Sequence, residues 1–244
     1  MITDILTVAR KELREMLVQG DPRGRSRIGL LILVLIFGIV IPLQNGRAWV
    51  ETPASLIVWG WMPFLWVSGI VADSFAGERE RHTLEALLAT RLSDRAILFG
   101  KILAAMAYGF ALTWIILLIS LLVVNISAGH GELLLFPVTI GAGALTFSLL
   151  VCGLAASLGV LVSLRAGSVR QAQQLMSAGM LVIFVPLMLI QFLPPGLLIS
   201  AGNFLQRTDP LQAALGVALV LLMVDIALVL VAMRLFRRSR LILD

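Results

Sequence analysis
Residues 78–90, ERERHTLEALLAT, form the most polar passage in a chain otherwise dominated by apolar side chains. They lie inside the longest charged interval between two apolar runs, so what they touch is expected to decide what the protein does. Of 244 residues, 59% are hydrophobic and 14% charged, and the mean hydropathy is +1.01. A soluble globule of this size cannot bury that much apolar surface. The chain therefore reads as an all-α polytopic membrane protein.

A helical span needs about 20 mostly apolar residues, and uncharged intervals of that order recur upstream and downstream of the polar passage. Six spans are expected, at about 28–43, 53–72, 102–126, 133–163, 175–193 and 210–233. Thr52 reads as the cap of the second, with Pro53 at its first position. Ser93 and Asp94 read as the cap of a helix that carries Lys101 at the membrane surface and becomes the third. Before the first span, Ile5, Leu6, Ala9, Leu13, Met16 and Leu17 share a face opposite Arg10, Lys11 and Arg14, the pattern of an interfacial helix. A basic hinge closes residues 1–27. That stretch is charged and lacks a small-residue cleavage site, so no signal peptide is expected.

The fourth span is rich in small residues. Gly153 and Ser157 have the spacing that lets two helices approach closely. Pro194, Pro195 and Gly196 break the chain after the fifth span, and residues 197–205 are apolar but too short to cross, which suggests a re-entrant or interfacial segment. Asp209 and Pro210 open the last span.

Lys and Arg fix the expected topology. Residues 1–27 hold six, 73–101 five, 164–174 two and 234–244 four, whereas the opposite loops hold only Arg47 and Arg207. The positive-inside rule then places both termini and the loop 73–101 in the cytoplasm, with the protein in the cell membrane. The net charge of +5 is spent flanking apolar runs, so a nucleic-acid partner is discounted. Cys152 is the only cysteine, which rules out an intrachain disulfide. His82 and His130 fall in loops on opposite sides, no HExxH occurs, and no phosphate loop is present, so neither catalysis nor a cofactor is expected in this chain.

Asp225 lies inside the sixth apolar run, where a charge costs about 2.5–3.5 kcal/mol. It reads either as a cation or proton contact or as a hydrogen-bonded carboxyl that pins helices, with Gln171, Gln173, Gln174 and Gln191 as candidate partners. In the polar passage, Thr83 reads as the cap of a short helix whose first turn carries Glu85. Residues 83–90 would span about 12 Å. Leu84, Leu87 and Leu88 fall on one face, with Arg81, Glu85 and Arg91 around it. Such a ridge suits either a groove on a soluble partner or the protein's own bundle.

The passage resembles the cytoplasmic loop of type-2 ABC exporter permeases, close to E-R-E-x-G-T-L-E-x-L-L-x-T-P-L, then a hydroxyl residue, Ile or Leu, and Gly-Lys. Glu78, Arg79, Glu80, Thr83, Leu84, Glu85, Leu87, Leu88, Thr90, Leu92, Ser93, Ile97, Gly100 and Lys101 match in order; His82 replaces the common glycine and Arg91 the common proline. The resemblance implies a permease subunit of an ATP-driven exporter that hydrolyses nothing itself. Two permease chains, identical or homologous, would form the pathway, and separate ABC ATPase subunits would carry ATP and magnesium. Thr83 to Thr90 would be the coupling helix, with Leu84, Leu87 and Leu88 as apolar contacts and Glu78, Glu80 and Glu85 as polar ones. The alternatives are an ion-coupled secondary carrier using Asp225 and a membrane scaffold that recruits a soluble partner.

Overall fold
A computed structural model describes residues 1–18, 25–189 and 210–236, and among these the regular structure is helical throughout. The helices are α1 (Ile2–Val18), α2 (Arg25–Leu35), α3 (Ile41–Asn45), α4 (Ala48–Glu51), α5 (Ala54–Glu80), α6 (Leu84–Leu88), α7 (Asp94–Ala128), α8 (Val138–Arg165), α9 (Val169–Leu189) and α10 (Pro210–Leu235). Among the described residues, four stretches are long and apolar enough to cross a membrane, namely Ile28–Asn45, Asp94–Ala128, Val138–Arg165 and Leu211–Leu235. The expected run 53–72 lies, but for its first residue, in α5, and the described part of 175–193 lies in α9, helices of 27 and 21 residues that are not among those four. The Pro-Pro-Gly break, residues 197–205, Asp209 and Gln191 lie outside the described residues.

The first apolar run, expected at about 28–43, is helical through Pro42 to Asn45. A π turn, Ile36–Val40, joins α2 to α3, and the Ile41 N–H donates to Ile36 O, five residues back. Pro42 has no N–H to donate and its ring crowds the preceding turn, so widening one turn upstream lets the helix continue past it. Thr52 is not the cap of α5. It is extended, as a residue before proline tends to be, and its hydroxyl donates back to Ala48 O at 2.7 Å. Ser93 does cap α7, its hydroxyl accepting the Ala96 N–H at 3.2 Å. The helix of the expected fourth span, α8, begins at Val138 rather than 133.

α5 is the central element. It packs along α8 and against α7 and α9, while α1 and the α2–α3 helix lie on α7, and α10 lies on α8. One buried cluster joins Phe75, Leu84, Ile97, Cys152, Val160 and Phe236; another, toward the opposite end of α5, joins Trp49, Trp59, Met62, Ile116 and Val124. The small residues of α8 act as a packing face. A Cβ at Gly153 would come within 2.9 Å of Asp225 on α10, and Ser157 is fully buried with its hydroxyl on Gly153 O.

The N-terminal helix divides its apolar residues differently from the expected single face. Val8, Ala9 and Glu12 are buried, whereas Leu6 and Leu17 remain exposed. Gly100 explains the seating: a Cβ there would fall 2.6 Å from Val8 Cβ, so only glycine lets α1 lie this close to α7.

Candidate functional site
The run Glu78-Arg79-Glu80-Arg81 closes α5, and successive residues of a helix point about 100° apart. Each side chain therefore meets a different neighbour. Glu78 Oε1 receives Lys101 Nζ of α7 at 3.0 Å, and the same ammonium reaches Glu12 Oε1 of α1 at 3.0 Å and Ser74 O at 3.0 Å. Arg79 turns to the end of α8, donating to Ala166 O and, at 3.1 Å, to Leu164 O. Glu80 accepts the Val169 N–H at the start of α9 at 2.9 Å. Arg81 folds back onto Asp73, 3.1 Å away. Glu78, Arg79 and Glu80 thus tie α5 to α1, α7, α8 and α9 around one end of the bundle, while Arg81 pairs within it.

Lys101 is enclosed by the bundle. It is 2% exposed, and its ammonium lies 5.0 Å from the Phe75 ring centroid. Burying a charge is costly unless it is paired and hydrogen-bonded, and here two carboxylates and a carbonyl do both. Lys11 stands beside the triad, 3.3 Å from Glu15, 3.4 Å from Glu12 and 3.8 Å from Glu78. Partial burial alone would lower its pKa, but the carboxylates of Glu12, Glu15 and Glu78 outweigh that and raise it above the ordinary lysine value. A second brace lies on Ser163 of α8. Its buried hydroxyl accepts from Phe75 N and Ala76 N and donates to Ala72 O, all within 3.0 Å.

Past Glu80 the chain turns through a Schellman closure. Thr83 N–H donates to Glu78 O and His82 N–H to Arg79 O, with His82 in the left-handed region at φ 55°. Glycine is the residue that adopts this conformation without steric cost. Thr83 is not a side-chain cap for α6; its hydroxyl bonds back to Glu78 O at 3.3 Å, because the closure has already engaged it.

α6 is five residues, Leu84–Leu88, shorter than the expected 83–90. Leu84 is buried in the bundle's own core and Leu87 packs half-buried against it. Glu85, Ala86, Ala89, Thr90 and Arg91 are exposed, and the Thr90 hydroxyl turns onto Leu87 O at 2.7 Å; the Leu88 side chain lies outside the description.

Asp225 lies on α10, outside this brace. Its Oδ1 is buried without a hydrogen-bond partner, and it borders a crevice of about 450 Å³ between α7, α8 and α10. Among the described residues, none of the hydrogen bonds joins it to Gln171, Gln173 or Gln174; Gln171 instead accepts the Gly167 N–H. No group of three His, Cys, Asp or Glu among the described residues is arranged to hold a metal ion.

Two features escaped sequence reasoning. Glu12 was readable as a carboxylate one turn from Val8 and Ala9 on a face that packs, hence as a group needing a buried cation. Ser163 left no such signal, since its partners are backbone groups of another helix.

The family model for ABC-2 family transporter protein matches residues 49–233, which run from α4 through nearly all of α10. The ABC transporter permease protein NatB of Bacillus subtilis (strain 168) is 36% identical over 135 residues, covering 53% of this chain and 32% of that protein. The matched part is thus about a third of that relative's length. The chain belongs to the ABC-2 family of transporter proteins.

Proposed function
We propose that this chain is the membrane-spanning permease subunit of an ATP-driven ABC exporter. It works with a second permease chain, identical or homologous, and with separate ATPase subunits that hold ATP and magnesium. Family membership and the permease relative support this reading. The observation that carries it is the seating of α6. Its five residues hang between α5 and α7, Leu84 is sunk in the core, and the brace from Glu78 to Arg81 reaches four other helices or turns at the same end. The positive-inside count supports a cytoplasmic position for that end.

Leu84 and Leu87 then serve as the root of the coupling helix, and its outward residues, Glu85, Ala86 and Ala89, meet the ATPase. Glu78 and Glu80 act from behind, by carrying displacement of α6 into α1, α7 and α9. Thr83 and Thr90 close its two ends. A push on α6 is transmitted because packed side chains and buried ion pairs rearrange as units.

The test is co-purification of the chain with its cognate ATPase subunit, together with ATPase stimulation. Glu85→Arg combined with Ala89→Asp alters only exposed positions, so the melting temperature stays at the wild-type value while ATPase capture and stimulation are lost. Unchanged capture by that variant overturns the docking assignment.

A further inference from the structure
A cavity of about 770 Å³ opens between α1, α2, α5, α7 and α9 beside the ion triad. Its wall carries Glu12, Glu15, Asp73 and Glu78 against Lys101 and Arg81. Even with Lys11 behind the wall, carboxylates outnumber cations. Deeper along α5 the lining turns apolar, through Ile70 and Leu65 facing Leu30 and Leu33 of α2. Glu78 and Leu65 are 13 residues apart on one helix, about 20 Å at the usual rise. One end is acidic, the other oily.

Three side chains of this wall hold buried polar atoms that no hydrogen bond satisfies: Glu78 Oε2, Ser74 Oγ and Trp66 Nε1. Their residues are 6%, 9% and 7% exposed. Such groups are few in native proteins, and each one that is left costs free energy. Glu78 Oε2 can only accept. Its other oxygen is already engaged by Lys101 and Lys11, so what is missing is a donor. Trp66 and Tyr108 also line the cavity, and aromatic rings are groups that attract cations. An anion would meet the carboxylate excess, and a purely apolar molecule would leave Glu78 Oε2 without a donor.

We propose that this cavity binds a protonated organic amine on an apolar body, its ammonium directed to Glu78 and Asp73 and its body lying along Leu30, Leu33, Leu65 and Ile70. The volume is that of a site for a drug-sized molecule. As a transported substrate this ligand rests on the permease reading; as a bound ligand it does not, because binding is read on the chain without any ATPase. The same chemistry is presented by a dissolved amphiphilic amine and by an aminolipid headgroup.

Gly69 lines the cavity, and a Cβ there meets nothing within 4 Å. The open space at that Cβ leaves room for a larger side chain to narrow the cavity. The full chain in phosphatidylcholine nanodiscs is titrated with the cationic dye rhodamine 6G and, separately, with anionic fluorescein, by fluorescence anisotropy. Wild type binds the cation saturably and not the anion. Gly69→Leu weakens dye binding at least about tenfold, a loss of some 1.4 kcal/mol, whereas Gly216→Leu, on α10 and equally open, leaves it unchanged. Gly29→Leu, another open position in the wall, repeats the block should Gly69→Leu melt early. Replacing the lipid by phosphatidylethanolamine distinguishes the sources: displacement of the dye assigns the cavity to the lipid amine, and retention to a dissolved one. Equal rhodamine affinity in wild type, Gly69→Leu and Gly29→Leu, or equal affinity for fluorescein, overturns the proposal.

Discussion
Glu78 and Lys101 meet at 3.0 Å, Oε1 to Nζ, in a site where Lys101 is 2% exposed. They flank α6 in the chain, one at the end of α5 and the other two turns into α7. Whatever moves α6 acts on both sides of this bond. Because Glu12 shares the same ammonium at 3.0 Å, α1 is held to the same point as α5 and α7.

Removing the ammonium leaves two buried carboxylates with only the half-exposed Lys11 beside them. Breaking one partner from a buried pair costs about 3–5 kcal/mol, so Lys101→Met lowers the melting temperature sharply in detergent. Glu12→Gln in the Lys101→Met background costs less than it does alone, since its partner is already gone. Thermal unfolding of the two single variants and the double variant measures this. Additive losses would show that the pair is not coupled.

His82 occupies the C′ position of the Schellman closure at φ 55°. A left-handed conformation costs a non-glycine residue about 1–2 kcal/mol, and glycine gives back part of that through the greater freedom of its unfolded chain. His82→Gly therefore raises stability by about 0.5–1 kcal/mol, and His82→Val lowers it because a β-branched side chain fits this region worst. Denaturation midpoints of the two variants moving in the same direction would contradict the strain at this position.

How far these relationships could be read from the chain depends on their range. The apolar runs, Ser93 as a helix cap and the Leu84–Leu87 face follow from spacing, which the eye can test over a few residues. The destinations of the polar run do not. Arg79 reaches Leu164 across 85 residues, Lys101 reaches Glu12 across 89 and Ser163 reaches Ala72 across 91. Those distances close only once the helices are packed. Thr83 shows the opposite failure: a residue type favoured at N-caps was already engaged by the preceding helix's closure, a competition that composition cannot rank. Leu84 shows a third, because a leucine ridge reads alike whether it faces a partner or its own core.

Gly100 gives a sharper test of α1 than any charge does. A Cβ there meets Val8 Cβ and Cγ1 at 2.6 Å and the Ile5 carbonyl at 3.1 Å, and a backbone atom cannot rotate away. Gly100→Ala thus lifts α1 off α7, at about 1–3 kcal/mol for overpacking, despite alanine's better helix propensity. Limited proteolysis reports it as faster cleavage after Arg10, Lys11 and Arg14 relative to wild type. Gly216→Ala, with open space at its Cβ, leaves the cleavage rate unchanged.

Glu80 and Arg79 make opposite use of helix ends, and the two can be separated by salt. Glu80 accepts the exposed Val169 N–H at the positive end of the α9 dipole, whereas Arg79 donates to the carbonyls of Leu164 and Ala166 at the negative end of α8. Glu80→Gln keeps an acceptor but loses the charge, so it costs about 0.3–1 kcal/mol at low ionic strength and less in high salt. Arg79→Gln cannot span two carbonyls; it leaves partly buried acceptors unmet and costs about 1–3 kcal/mol with little salt dependence. Melting temperatures of the two variants at low and high salt decide the matter: a Glu80→Gln deficit that persists unchanged in high salt would mean that the bond, not the dipole, carries the interaction.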